Sequence, residues 1–186
     1  MEKTDRRVRR TRTLLTRGLI QLMKEKDIKE ISVKELSDLA DINRGTFYLH
    51  YTDIYDLLKN IEDELFQEFN AILDRTLTGA PDKHDPEATL REIFLLLHRN
   101  QDTARVMMSP HGDLAFVNRL KHLVQERICQ FLMHTHSTNH HTYREAFAIS
   151  GCIGVIETWL NQPAPQTPEE MAKLCSHMLL KGLDLK

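Results

Sequence analysis

Two helix-start signals stand only eleven residues apart in this chain, at Ser32 and Asn43, and that spacing restricts the residues around them to two short helices joined by a tight turn. Ser32-Val33-Lys34-Glu35 has the S-x-x-E form, in which a hydroxyl and a carboxylate each satisfy a free backbone N–H at a helix start. Val33, Leu36, Leu39 and Ala40 follow at helical spacing and predict a buried stripe that ends near Asp41. Asn43 offers the second cap and opens a helix over 44–49. Upstream, Val8, Leu15, Leu19, Leu22 and Met23 predict an amphipathic helix over 6–26 with arginines on its other face. Downstream, Thr52-Asp53 caps a long helix whose stripe of Ile54, Leu58, Ile61, Leu65, Phe69 and Ile72 ends near Thr76.

The stretch 78–86 contains Gly79, Pro81 and Pro86 and has no apolar period, which places a boundary there. Beyond it, helices are expected over 87–98, 102–108, 113–133, 143–160 and 168–183. They are interrupted by Arg99-Asn100-Gln101, by Ser109-Pro110-His111-Gly112, by a polar loop over 134–142 and by the proline-rich 162–166. No segment alternates with a period of two. The expected fold is all-α, with a three-helix helix-turn-helix domain at 1–52, a connecting helix at 53–78 and a helical second domain at 79–186.

The net charge of −2 says little, but its distribution says more. Residues 1–17 carry seven basic side chains against two acidic ones, whereas 61–186 hold 12 basic and 17 acidic, so a polyanion is drawn to the N-terminal end. A helix-turn-helix places its second helix in the DNA major groove, which gives that charge a purpose. A nonspecific nucleoid protein would be more basic than this. No G-x-S-x-G, Walker loop or H-E-x-x-H occurs, so neither an enzyme nor a cofactor is expected. Cys129, Cys152 and Cys175 lie far apart on apolar helical patterns and read as buried thiols in a reducing compartment. The charged N-terminus and the lack of an 18-residue apolar run predict a cytoplasmic protein without a membrane span. His134, His136, His140 and His141 could gather a metal. They lack an acidic or thiol partner at fixed spacing, so solvated side chains are expected and no metal site.

Ile31-Ser32-Val33-Lys34-Glu35-Leu36 followed by Ala40-Asp41-Ile42-Asn43-Arg44-Gly45-Thr46-Phe47-Tyr48-Leu49-His50-Tyr51 resembles the DNA-binding signature of TetR-family regulators over about 50 residues. The resemblance implies that Tyr48 and His50 hold the DNA backbone and that Ser32 and Lys34 reach DNA from the first helix of the motif. Arg44 is the candidate base reader, because its fork can bond guanine O6 and N7 together or else grip a phosphate. Thr46 is placed to touch a thymine methyl or a phosphate, and Asn43 to cap the helix and contact DNA. Phe47 and Ile42 are expected in the core. The arginines at 6, 7, 9, 10 and 12, with Arg9 and Arg10 among the DNA contacts, resemble a flexible arm for the backbone or a minor groove. The chain departs from the family pattern at Asp41, where glycine is usual and a turn conformation that aspartate tolerates is implied. It departs also at Ile54, where the family carries lysine, and at Tyr51, where it carries phenylalanine.

Asp85-Pro86-Glu87, Asn100, Gly112-Asp113-Leu114-Ala115-Phe116 and Trp159-Leu160 are similar to the dihydroxyacetone-kinase-regulator branch of that family. The resemblance implies a repressor that binds double-stranded operator DNA as a homodimer through its last two helices. Ala146, Phe147, Ser150, Gly151, Gly154 and Val155 would allow close approach there, or would pack within one chain. Phe94, His98, Met107, Met108, Phe116, Phe131 and Trp159 are candidates to line an effector pocket, against the reading of an ordinary core. A protein partner in place of a small effector, or activation in place of repression, is the alternative.

Overall fold

The computed structural model describes residues 2–78, 85–132 and 141–182, and among these it contains α-helices and one 3-10 turn but no strand. In chain order they are α1 (Glu2–Met23), the 3-10 turn (Ile28–Glu30), α2 (Val33–Leu39), α3 (Arg44–Tyr48), α4 (Ile54–Thr76), α5 (Pro86–Arg99), α6 (Gln101–Met107), α7 (Leu114–Leu132), α8 (His141–Leu160) and α9 (Pro168–Gly182). The all-α expectation holds. The chain forms two compact units, the first made of Met1–Leu65 with Val106–Asp113 and the second of Phe66–Arg105 with Leu114–Lys186.

In the first unit, Leu15, Leu19, Ile20 and Met23 of α1 are buried together with Leu36, Phe47, Tyr51, Leu57 and Ile61. Side chains of this size contribute about 1.5–3 kcal/mol each when fully buried. Gly18 lets α2 lie close, since a Cβ there would stand 2.8 Å from Leu36 Cδ1. Ile42 is half-buried, so only Phe47 of the expected pair is a full core residue.

The caps decide where the short helices begin and end. Ser32 Oγ accepts the Glu35 N–H at 3.1 Å, but the Glu35 carboxylate pairs with Lys26 Nζ, so the expected reciprocal box forms only on its hydroxyl side. A charged donor outbids a backbone amide for that carboxylate. After α2 the Ile42 N–H donates to Ser37 O at 2.9 Å and the Asp41 N–H to Asp38 O at 3.4 Å. This is the 6→1 and 5→2 pattern that closes a helix on a left-handed residue. Asp41 is that residue, with φ of 53°, as its place in the glycine position of the motif implied. The α4 start is capped reciprocally, with Asp53 Oδ1 accepting the Asp56 N–H at 2.8 Å and Thr52 N–H donating to Asp56 Oδ2 at 2.9 Å.

The helix expected over 6–26 with arginines on its outer face forms as α1, and this rules out the flexible arm that the family resemblance suggested. Arg6, Arg7, Arg9, Arg10 and Arg12 are exposed on regular α1 helix and form no flexible arm. No glycine or proline interrupts residues 2–17, and arginine is a good helix former. Val106–Asp113 also clusters with the first unit. His111 Nδ1 lies 2.8 Å from Asp27 Oδ1, and that hydrogen bond, with Lys29 at 3.1 Å, holds the Asp27 carboxyl below its usual range.

In the second unit Leu90, Ile93, Phe94, Leu96 and Leu97 give α5 a buried face that packs along α9, where Met171, Ala172 and Cys175 are buried. Arg75 pairs with Glu92 at 2.8 Å and Arg127 with Asp74 at 2.8 Å, tying α4 to α5 and α7. Arg105 Nε donates to Leu160 O at 2.8 Å and closes the end of α8. Of the cysteines expected to be buried, Cys175 is buried, Cys152 is only half-buried, and the side chain of Cys129 lies outside the described residues. Cys152 shares α8 with the exposed Phe147 and Gly151, so its helix is not covered all round within one chain.

Asp41→Val should lower the unfolding free energy of the first unit by about 1–2 kcal/mol relative to Asp41→Gly, because a β-branched side chain is forced into the left-handed region. Chemical denaturation followed by helical circular dichroism measures the difference, and equal stabilities would contradict the turn. Burial, with a smaller contribution from Cys152, pushes the Cys175 thiol up to about 12. In the folded chain roughly one such thiol in ten thousand is ionised at pH 8, so Cys175 should resist a thiol-specific disulfide reagent there and react once the chain is unfolded.

Candidate nucleic-acid interface

The reader segment is built from the cap outward. Asn43 Oδ1 accepts the Gly45 N–H at 2.7 Å and opens α3, whose first residue, Arg44, is exposed. Phe47 points into the core with no exposed surface, and its ring meets the Tyr48 ring edge-on at 5.4 Å and the Tyr51 ring at 5.8 Å. With Phe47 fixed, the helical turn directs its neighbours. Tyr48 is 59% exposed, while Thr46 and His50 are half-buried at the flanks. Ser32 and Lys34 are exposed at the start of α2.

Arg44, Thr46, Tyr48 and His50 thus lie on or just beyond one five-residue helix, with Asn43 at its cap and Ser32 and Lys34 on the preceding one. Arg9 and Arg10 stand on α1, and the Arg9 carbonyl accepts the Thr13 hydroxyl at 3.0 Å. This donor set of hydroxyl, ammonium, phenol, imidazole and guanidinium is the one phosphate oxygens and guanine edges accept from. Ile54, where the family's lysine would stand, is 4% exposed in the first turn of α4 and offers no phosphate contact. Two exposed residues were missed from the sequence, Leu49 at the α3 C-cap and Tyr55 beside Ile54. The register set by Phe47 was the signal that could have found Leu49.

The residues considered for an effector are distributed over both units. Phe94 and Trp159 meet edge-on at 5.1 Å in the second unit, the Trp159 Nε1 donates to Gln166 O at 2.8 Å, and the exposed His98 ring lies 6.4 Å from the indole. Phe116 is buried beneath the Arg119 guanidinium, which also covers Phe66 at 4.6 Å. Met107 and Met108 belong to the segment that clusters with the first unit, and the side chain of Phe131 lies outside the described residues. On α8, Ala146, Phe147, Ser150 and Gly151 are exposed and Gly154 and Val155 half-buried. A Cβ at Gly151 or Gly154 would meet nothing within 4 Å. His134, His136 and His140 lie outside the described residues, as does the side chain of His141.

Known proteins match this arrangement. An uncharacterised HTH-type transcriptional regulator of Bacillus subtilis, YxbF, is 23% identical over 163 residues, which is 84% of this chain and 41% of the relative. The chain therefore spans about two fifths of the length of the curated relative it matches. A TetR transcriptional regulator from Streptococcus agalactiae has the same fold at a TM-score of 0.63 and 23% identity, over 96% of this chain and 98% of that one. The dihydroxyacetone kinase operon activator DhaS has it at a TM-score of 0.60 and 16% identity, over 94% and 97%. At such identities the solved structures establish the fold alone. Residues 84–181, more than half of the chain, match the TetR-type model described as a transcriptional regulator C-terminal region. With a helix-turn-helix in front of that matched region, the chain belongs to the TetR family of DNA-binding transcriptional regulators.

Proposed function

We propose that the chain is a sequence-specific repressor that binds a pseudopalindromic operator as a homodimer and is released by an effector. In this reading 1–52 is the reader, 53–78 the connecting helix and 79–186 the regulatory and dimerising part, all working in the cytoplasm. The observation that carries it is the placement of exposed Arg44 and Tyr48, with half-buried Thr46 between them, on one short helix locked by Phe47 and capped by Asn43. Arg44 reads a base edge. Tyr48, His50, Ser32 and Lys34 hold phosphates, with Arg9 and Arg10 adding charge from α1.

Dimerisation is supported by the apolar surface that α8 and α9 leave uncovered in one chain. Tyr143 is 77% and Phe147 68% exposed, and Leu174, Met178 and Leu180 are exposed as well. A two-fold partner set on Phe147, Ser150, Gly151, Gly154 and Val155, with Ala146, would bury this face and place two reader helices on two half-sites. Phe94, His98, Phe116 and Trp159 of the second unit are the candidates to sense the effector, while Met107 and Met108 group with the first unit and the side chain of Phe131 lies outside the described residues. A second reading, activation or control by a protein partner, draws on the likeness to DhaS, an operon activator. It fits the branch resemblance in Asp85-Pro86-Glu87 and Trp159-Leu160.

Selection of bound sequences from a random duplex pool at about 150 mM salt, near physiological ionic strength, tests the reading. An enriched palindrome is expected, and a folded protein that enriches no duplex would refute it. Arg44→Ala should relax preference at one position of each half-site, losing about 1–3 kcal/mol of discrimination. Tyr48→Phe should weaken binding to all sites by a similar factor, as loss of a phosphate contact does. Competition binding on single-base variants separates the two patterns. Both mutants behaving as the parent would mean that another surface reads the DNA.

A further inference from the structure

The face that α3 turns outward has a chemical character of its own. Successive helical residues are rotated by about 100°, so with Phe47 pointing into the core, Gly45 and Leu49 fall within about 20° of the opposite direction. Leu49 keeps the helical register, with φ of −75° and ψ of −16° as the C-cap residue. It is 80% exposed, the most exposed of the first unit's large apolar side chains. Those that are exposed among the described residues, Leu39, Tyr48, Leu49 and Tyr55, all fall between 39 and 55. The tyrosines carry a hydroxyl for water or phosphate, whereas Leu49 is hydrocarbon to its tip.

A single exposed leucine on a protein surface is ordinary. This one stands on the outermost line of the helix that a major groove receives. Its companion on that line, Gly45, has no side chain to hold the helix away, and an added Cβ there would meet only the Asn43 cap oxygen at 3.2 Å. Across the four base pairs, the major groove presents one apolar group, the C5-methyl of thymine, among donors and acceptors that leucine cannot satisfy.

We propose that Leu49 is a specificity-determining residue that reads a thymine C5-methyl group in each half-site, the close approach being permitted by Gly45. The inference rests on the DNA-reading function proposed above. Leu49 desolvates against the methyl and disfavours any base that places a polar edge there.

The test takes the duplex enriched by selection and replaces its thymines one at a time by deoxyuridine, which deletes the methyl and keeps the pairing. Affinity is measured by fluorescence anisotropy at fixed salt for the parent, Leu49→Ala and Thr46→Ser. The parent should lose roughly fourfold at one or two positions per half-site, the worth of one buried carbon. Leu49→Ala should bind the thymine and uracil versions equally at those positions while melting like the parent, since the side chain it removes is outside the core. Leu49→Met should restore the discrimination. Insensitivity of the parent to every replacement overturns the inference, as does a drop that persists in Leu49→Ala. A drop abolished only by Thr46→Ser assigns the methyl to Thr46 and equally overturns it. A protein that enriches no duplex at all removes the DNA-reading function itself, and this inference with it.

Discussion

Helices of seven and five residues do not hold themselves together in water, where roughly 12–15 residues are needed for even marginal helicity. The reader therefore depends on what Leu36 and Phe47 bury. Both are sealed completely, and Gly18 brings α1 close enough for Leu36 to fill the space a Cβ would have taken. With Phe47 directed inward, the directions of Arg44, Gly45, Tyr48 and Leu49 follow from the helical turn. The left-handed turn at Asp41 then sets where α3 begins, so one buried ring and one backbone angle fix the surface presented to a partner.

The parts legible in the sequence are those whose physics is local. Ser32, Asn43 and Asp53 announce helix starts because a side chain caps an N–H two or three residues on, and each does so. Asp41 declared its left-handed backbone by standing where glycine is usual. Long-range partners were out of reach. Glu35 was expected to complete a cap, but its partner is Lys26, nine residues upstream across a turn. The arm suggested for the arginines came from the family resemblance, whereas the apolar period of Val8, Leu15 and Leu19 already pointed to the helix that α1 forms. The clustering of Val106–Asp113 with the first unit involves His111 and Asp27, which are 84 residues apart, and no local pattern encodes such a pairing.

The candidate site divides in the same way. The exposure of Ser32, Lys34, Arg44 and Tyr48 follows from register and could be read in advance. Leu49 went unused although Phe47 was expected in the core, since two residues on from a buried position a helix turns its side chain outward. In the second unit an aromatic and sulfur composition names candidates but not neighbours. Phe94 and Trp159 meet, whereas Met107 and Met108 group with the first unit. Charge was legible throughout, since the surplus of cations in residues 1–17 and of anions beyond 60 is a property of composition.

Trp159 is the only tryptophan in the chain, and it is buried in the second unit with its ring on Phe94 and its N–H on Gln166. Indole fluorescence is therefore a private reporter. Its emission follows the packing of α5, α8 and the turn before α9 and is blind to the opening of the reader, whose only aromatic fluorophores of comparable kind are tyrosines. Circular dichroism sums both units, so the gap between the two signals along one melting curve would separate unfolding of the first unit from unfolding of the second, without a label or a truncated chain.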